Sequence, residues 1–176
     1  MITFISGGAR SGKSSWAERM AFQKYMEGEK GRLYYLATGV RTDHEMEDRI
    51  LRHQQERGNE WHTLEAPIYI GDALRSLENE SVVLLDCLTI WLSNMMYSQK
   101  VDMVKILENA KDWLTLAKQK SVHIYIVSND VNEGIPLNDD EVYRYIFALE
   151  HLHRLIIREA REVYQVVAGI PEKWKG

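Results

Sequence analysis

The sequence predicts a three-layer α/β domain on a mainly parallel sheet, and three observations carry that prediction. Short β-branched or aromatic runs recur along the chain, segments with helical spacing lie between them, and no linker or internal repeat divides the chain. Strands buried on both faces in a parallel sheet read as continuous apolar runs rather than as alternation.

Five runs fit that description: Ile2 to Ser6, Leu33 to Ala37, Val82 to Leu85, Val122 to Val127 and Val163 to Ala168. Each is too short for a helix. Ser15 to Ala21 is helix-like directly after the first run. Val101, Val104, Leu107, Leu114 and Ala117 fall near one face of a helix, and Val142, Ile146, Leu149, Leu152 and Ile156 do the same ahead of the last strand. With only three prolines and no Gly/Ser-rich stretch, residues 1–176 are expected to form one domain.

Composition excludes several classes of protein. A chain of 176 residues should bury roughly 70% of the surface its unfolded form exposes, so its core needs neither disulfides nor a structural metal. Cys87 is the only cysteine, which excludes a disulfide framework and a multi-Cys zinc site and makes a reducing cytoplasm the expected compartment. The balance of 22 Lys+Arg against 26 Asp+Glu, with no basic block, argues against a broad grip on nucleic acid but leaves room for a local anion site. No apolar run approaches the about 20 residues of a membrane span. Met1 to Ser6 lacks the basic lead and cleavage site of a secretory leader, so none is expected.

The first run leads straight into Gly7-Gly8-Ala9-Arg10-Ser11-Gly12-Lys13-Ser14, which fits G-x-x-x-x-G-K-[ST] at every fixed position. Glycines let successive backbone N–H groups turn inward as an anion nest at a helix N-terminus, where the macrodipole also favours negative charge. Lys13 supplies a mobile cation for the terminal phosphates, and Ser14 a hydroxyl for Mg²⁺. Arg10 either points toward the phosphates or is a surface arginine. A phosphate-bound Mg²⁺ needs a carboxylate from a neighbouring strand end, and Asp86 closes the Val82 to Leu85 run where ligands bind in open α/β sheets. By itself, Asp86 fits a cap on the following helix as well. The expected fold is therefore a P-loop NTPase-like three-layer domain with GTP or ATP and Mg²⁺ as ligands. Cys87, next to Asp86, reads as a buried neighbour of that site rather than as a nucleophile.

The opening Ser6 to Ser14 resembles the P-loop of the bifunctional adenosylcobinamide kinase / adenosylcobinamide-phosphate guanylyltransferase family of cobalamin assembly. Tyr35-Leu36-Ala37-Thr38, Asp43 to His53, Trp61 to Pro67, Leu85 to Asn94 and Val167-Ala168-Gly169-Ile170-Pro171 are similar to that family in the same order, so the resemblance spans almost the whole chain. It implies two reactions: phosphorylation of the aminopropanol hydroxyl of adenosylcobinamide, then transfer of GMP from GTP onto that phosphate through a guanylylated histidine, with release of pyrophosphate. The matching histidine is His53. By periodicity alone, His53 sits on or beside an apolar stripe, three residues after Ile50 and seven after Met46, which suits a packed histidine as well as a nucleophile. The resemblance also implies nucleotide contacts at Ala37, Thr38, Gly39, Glu65 and Asp86, and at Gln54 and Arg57, where a solvated helix face is the other reading. It implies a homotrimer.

The remaining histidines read as structural or surface groups: His44 as a helix cap, His62 in a polar stretch, His123 in a strand, and His151 and His153 on opposite sides of a helix. The sequence departs from the family in two places. After the strand ending at Ser128, the Asn129 to Pro136 loop has lost a glycine and one residue. In the next helix, Ile146-Phe147, Glu150 and His153-Arg154 replace polar or glycine positions that the family uses at the active-site rim or subunit contact. Two other readings follow: a small-molecule kinase lacking the transferase step, and a non-catalytic nucleotide-binding protein.

Overall fold

The structure is a computed structural model that describes residues 1–28, 31–39, 58–130 and 139–176; His44, His53, Gln54 and Arg57 lie outside the described residues. Its strands are β1 (Ile2–Gly7), β2 (Leu33–Ala37), β3 (Trp61–Glu65), β4 (Val82–Asp86), β5 (His123–Asn129), β6 (Glu162–Val167) and β7 (Ile170–Lys175). Its described helices are α1 (Lys13–Met26), α2 (Ile70–Ser76), α3 (Leu88–Ser93), continued by a π-turn over Asn94–Ser98, α4 (Met103–Gln119) and α5 (Asp140–Glu159).

The seven strands form one sheet in the order β3-β2-β4-β5-β1-β6-β7. Every pairing is parallel except β6 with β7. The sheet is covered on both faces. Ala17 and Ala21 of α1 pack on Ile5, Tyr35, Leu84, Tyr125 and Val127, and small residues on the helix let it approach the strands closely. On the other face, Phe4, Leu36, Val83, Leu85 and Ile126 meet the apolar sides of α2 to α5. Trp91 of α3 and Trp113 of α4 meet edge to face, with ring centroids 6.2 Å apart, and the Trp91 indole N–H donates to the Ile68 carbonyl at 2.9 Å. Among the described residues no helix is long and apolar enough to cross a membrane.

Four expectations are corrected. His62, expected in a polar stretch, lies in strand β3 (Trp61–Glu65), which was not among the expected strands. It pairs only with β2 at the sheet edge, so no position is fully buried: Trp61, Thr63 and Leu64 are partly covered, and His62 and Glu65 are exposed. Strand β7 was not expected, because it is exposed at all six positions and carries Pro171, both features of an edge. Strand β6 stops at Val167, one residue early, because Ala168 and Gly169 take φ of 48° and 81° in a two-residue hairpin turn. On α4 the buried stripe is Ile106, Ala110, Trp113, Leu114 and Ala117; Val104 is 61% exposed, since the helix begins only at Met103 after the Asp102 cap and turns Val104 away from the sheet.

His153 packs against the core from α5, partly buried. Its Nε2 lies 2.7 Å from the Ser128 hydroxyl, and its ring meets Phe4 edge-on at 5.0 Å. Burial lowers its pKa to about 4, opposed by the nearby charge of Asp130. A histidine held neutral in the folded state binds its proton less readily than the unfolded chain does. Its contribution to stability is therefore complete above pH 6.5 and is lost as pH falls from 6.5 toward 4. Urea unfolding should show that loss, on the order of 3 kcal/mol, and His153→Gln should flatten the slope across the same window. An unchanged slope in the variant would assign the acid sensitivity to other groups.

Candidate functional site

The Gly7 to Ser14 loop joins β1 to α1 at the C-terminal edge of the sheet, in the middle of the strand order. The close approach of three elements explains its glycines. A Cβ on Gly7 would lie 2.5 Å from the Val166 carbonyl oxygen, and Gly12 takes φ +86°. Helix α1 begins at Lys13 without a side-chain cap, and its first helical bond runs from Trp16 N–H to Gly12 C=O at 3.0 Å. The first amides of α1 thus precede the intrahelical ladder, as an anion site needs. Ser11 Oγ is buried with no hydrogen-bond partner, an orphaned hydroxyl inside the cradle. The Lys13 side chain is buried and its Nζ donates to the Gly8 carbonyl at 3.2 Å. Arg10, at φ 58°, and Ala9 are exposed at the tip.

Neighbouring elements hold the loop by its backbone. Asp130 N–H donates to Gly7 C=O at 2.9 Å from the end of β5, and Gly169 N–H donates to Ser11 C=O at 2.8 Å from the β6–β7 turn. The cradle is therefore braced on both flanks.

Asp86 ends β4, with β5 between it and β1. It does not cap the next helix: the N-cap of α3 is Cys87, without a side-chain bond. Instead Asp86 Oδ2 accepts the Tyr35 hydroxyl at 3.0 Å. Tyr35 on β2 is a residue that sequence reasoning missed, because nothing local links it to a carboxylate 51 positions away. Ala37 stands between Asp86 and Glu65 in the same cross-strand row, so the two acids lie roughly 10 Å apart at Cα, two strand spacings, on the same side of the sheet. Glu65 is exposed and Gly39 has open space where a Cβ would be.

Thr38 is fully buried. Its hydroxyl accepts Cys87 N–H and donates to Cys87 C=O, both at 2.8 Å, which clasps the ends of β2 and β4. Asn94 Nδ2 reaches the carbonyls of Thr38 and Pro67 at 2.9 and 3.1 Å and ties the same edge to α3. Cys87 is buried beside Thr89, and desolvation, then the charge of Asp86, push its thiol pKa up. The thiol is thus poorly suited to act as a nucleophile. A concavity lined by Lys24, Tyr25, Glu80, Ser121 and His123 opens at the opposite ends of the strands, away from the loop.

A hard divalent cation takes oxygen ligands and keeps several waters. The Ser14 hydroxyl and the Asp86 carboxylate offer that donor type beside the cradle. Among the described residues no group of three His, Cys, Asp or Glu is placed to hold a metal. The oxygen donor set of Ser14 and Asp86 fits Mg²⁺ bound together with nucleotide phosphates. If Asp86 ligates Mg²⁺ as expected, Tyr35→Phe should raise the Mg²⁺ concentration that half-saturates nucleotide binding about tenfold, because Tyr35 would orient the ligating carboxylate. Titrating Mg²⁺ against a fluorescent nucleotide checks this, and metal-free nucleotide binding should stay unchanged.

Comparison with known proteins agrees with this geometry. Among solved structures, the flagellar accessory protein FlaH from Methanocaldococcus jannaschii covers 99% of the chain and 77% of its own, with a TM-score of 0.55 at 12% identity. A KaiC-like protein from Pyrococcus horikoshii covers 93% of the chain and 69% of its own, with a TM-score of 0.52 at 12% identity. Both likenesses concern the fold. The bifunctional adenosylcobalamin biosynthesis protein CobP of Pseudomonas aeruginosa is 34% identical over all of this chain and 98% of its own length. The protein of that description named CobU in Escherichia coli is 26% identical over 99% of this chain and all of its own. The family model described as cobinamide kinase / cobinamide phosphate guanyltransferase matches residues 3–174, so the chain belongs to that family.

Proposed function

We propose that this protein phosphorylates adenosylcobinamide with ATP or GTP and then transfers GMP from GTP onto the product, giving adenosylcobinamide-GDP and pyrophosphate. One observation supports this most: a braced phosphate cradle with Asp86 beside it, in a chain that matches the family from residue 3 to residue 174.

In the first reaction, the substrate hydroxyl oxygen attacks the γ-phosphorus, the bond from that phosphorus to the β–γ bridging oxygen breaks, and the nucleoside diphosphate leaves. The hydroxyl proton passes to water. Lys13 would exchange its bond to the Gly8 carbonyl for the phosphate oxygens, and the loop amides would hold the leaving diphosphate. When bound, Mg²⁺ would neutralise phosphate charge between Ser14 and Asp86.

In the second reaction, a ring nitrogen of His53 attacks the α-phosphorus of GTP and pyrophosphate leaves. The other ring nitrogen sheds its proton to water as the N–P bond forms. A phosphate oxygen of adenosylcobinamide phosphate then attacks the same phosphorus, the N–P bond breaks, and the imidazole regains a proton. Gln54, Arg57, Glu65 and the Ala37-Thr38-Gly39 segment complete the nucleotide site in this reading. Thr38 acts by holding the strand ends, since both functions of its hydroxyl are taken by Cys87.

A product assay with GTP and adenosylcobinamide, followed by the phosphate, tests each half separately. Both products should form. Phosphorylation without guanylylation would reduce the protein to a kinase, and nucleotide binding without either product would leave only a binding protein. We further assign a homotrimer on the family match; Tyr143 and Phe147, 49% and 54% exposed on α5, are apolar surface available to a subunit contact but do not by themselves set the number of subunits. Light scattering that gives the mass of a single chain would refute it.

A further inference from the structure

The cradle and the Asp86 carboxylate stand on strands that do not touch, because β5 lies between β4 and β1. Phosphates that sit in the cradle and share a cation with Asp86 therefore pass over the end of β5. That end is Asn129, the last residue of the strand. In register, Asn129 is the Cα partner of Gly7, and Val127, two residues earlier, is the Cα partner of Asp86. Side chains two apart on a strand share a face. Val127 packs in the cluster that includes Ala17 and Ala21 of α1, so Asn129 stands on the face of the sheet that carries α1. The first turn of that helix holds Lys13 and Ser14.

The Asn129 side chain is half-buried and tethered. Its Nδ2 donates to the Thr89 hydroxyl at 3.2 Å, and that hydroxyl lies 3.0 Å from Cys87 Sγ. Thr89 is itself buried, and its carbonyl accepts the Tyr145 hydroxyl of α5 at 2.9 Å. The tether uses one of the two Nδ2 hydrogens and leaves the other for a ligand. A neutral amide neither takes nor gives up a proton in a kinase step, so its use there is as a fixed dipole. In phosphoryl transfer, negative charge is spread over the three equatorial oxygens of the group in transit. A held N–H donor between the cradle and the carboxylate suits that charge, because it needs no reorganisation when the charge develops.

We propose that Asn129 is a catalytic residue of the kinase step: its amide donates a hydrogen bond to the transferring phosphoryl, and Thr89 is the positioning residue that holds the amide there. The inference rests on the kinase half of the proposed function. Steady-state phosphorylation of adenosylcobinamide tests it. Asn129→Ala should lower kcat about a hundredfold, with the donor KM within about threefold of wild type, since the contact is made to charge that develops in the transition state. Affinity for a fluorescent nucleoside diphosphate, which lacks the transferred group, should stay at the wild-type value, and this also shows that the cradle is folded. Thr89→Val keeps the shape and removes the hydroxyl, so kcat should fall about tenfold, and Thr89→Ser should bring it back to near wild type. An unchanged kcat in Asn129→Ala overturns the assignment, and so does a loss of diphosphate binding as large as the loss of rate, which would make Asn129 a structural residue. Equal kcat in Thr89→Val and wild type overturns the positioning role. Wild-type protein that forms no adenosylcobinamide phosphate overturns the kinase reading and Asn129 with it, a failure seen before any variant is compared.

Discussion

Lys13→Ala should lower kcat/KM about a thousandfold in both half-reactions, equivalent to about 4 kcal/mol of transition-state stabilisation, without unfolding the protein. The magnitude follows from the position of Lys13 as a buried cation at the mouth of the cradle, with its ammonium donating to Gly8 C=O at 3.2 Å. Charge that develops on a leaving diphosphate inside a partly dehydrated loop is worth far more to a fixed cation than the same pair in water. Single-turnover rates with each donor measure the loss, and Lys13→Met separates loss of charge from loss of the buried stem. The two half-reactions should fall together, because each expels a diphosphate through the same loop. A loss confined to one of them would show that the other uses a different anion site.

His53→Ala should abolish the protein's acid-labile, base-stable label from α-labelled GTP and the formation of adenosylcobinamide-GDP, and leave phosphorylation of adenosylcobinamide within a few-fold of wild type. A free imidazole is roughly three-quarters neutral at pH 7, so it attacks phosphorus without special activation. Removing the nucleophile removes the only covalent route in the proposed mechanism. Equal labelling of wild type and variant would overturn the covalent role, and γ-label retained on the protein in place of α-label would point to a phosphorylated intermediate instead.

The most local features were the most legible. The loop from Gly7 to Ser14 reads directly as a phosphate cradle because the chemistry needs contiguous backbone amides, and contiguity is what a sequence displays. The inner strands were legible because burial on both faces forces continuous apolar runs at β1, β2, β4 and β5. The edges were not. Strand β3 is only partly covered, with Trp61 and Leu64 packing on opposite faces, and β7 has no buried position, so neither carries that signature. The α4 stripe misread at Val104 is a phase error: apolar residues stood on more than one side of the helix, and only packing on the sheet selected Ile106, Ala110 and Trp113.

The sequence by itself determined that this is an α/β chain with a nucleotide cradle at the end of its first strand, an acid at the end of β4, and an ordered set of segments shared with one family. Only the tertiary structure decided that Tyr35 holds the Asp86 carboxylate, that Thr38 clasps the Cys87 backbone, that His153 is a partly buried residue bonded to Ser128, and that the β6–β7 turn braces the loop at Ser11. Each of these is one or two hydrogen bonds between residues distant in sequence. Such pairs leave no periodic pattern, because their partners meet only when strand order and register bring separate strand ends to one edge of the sheet.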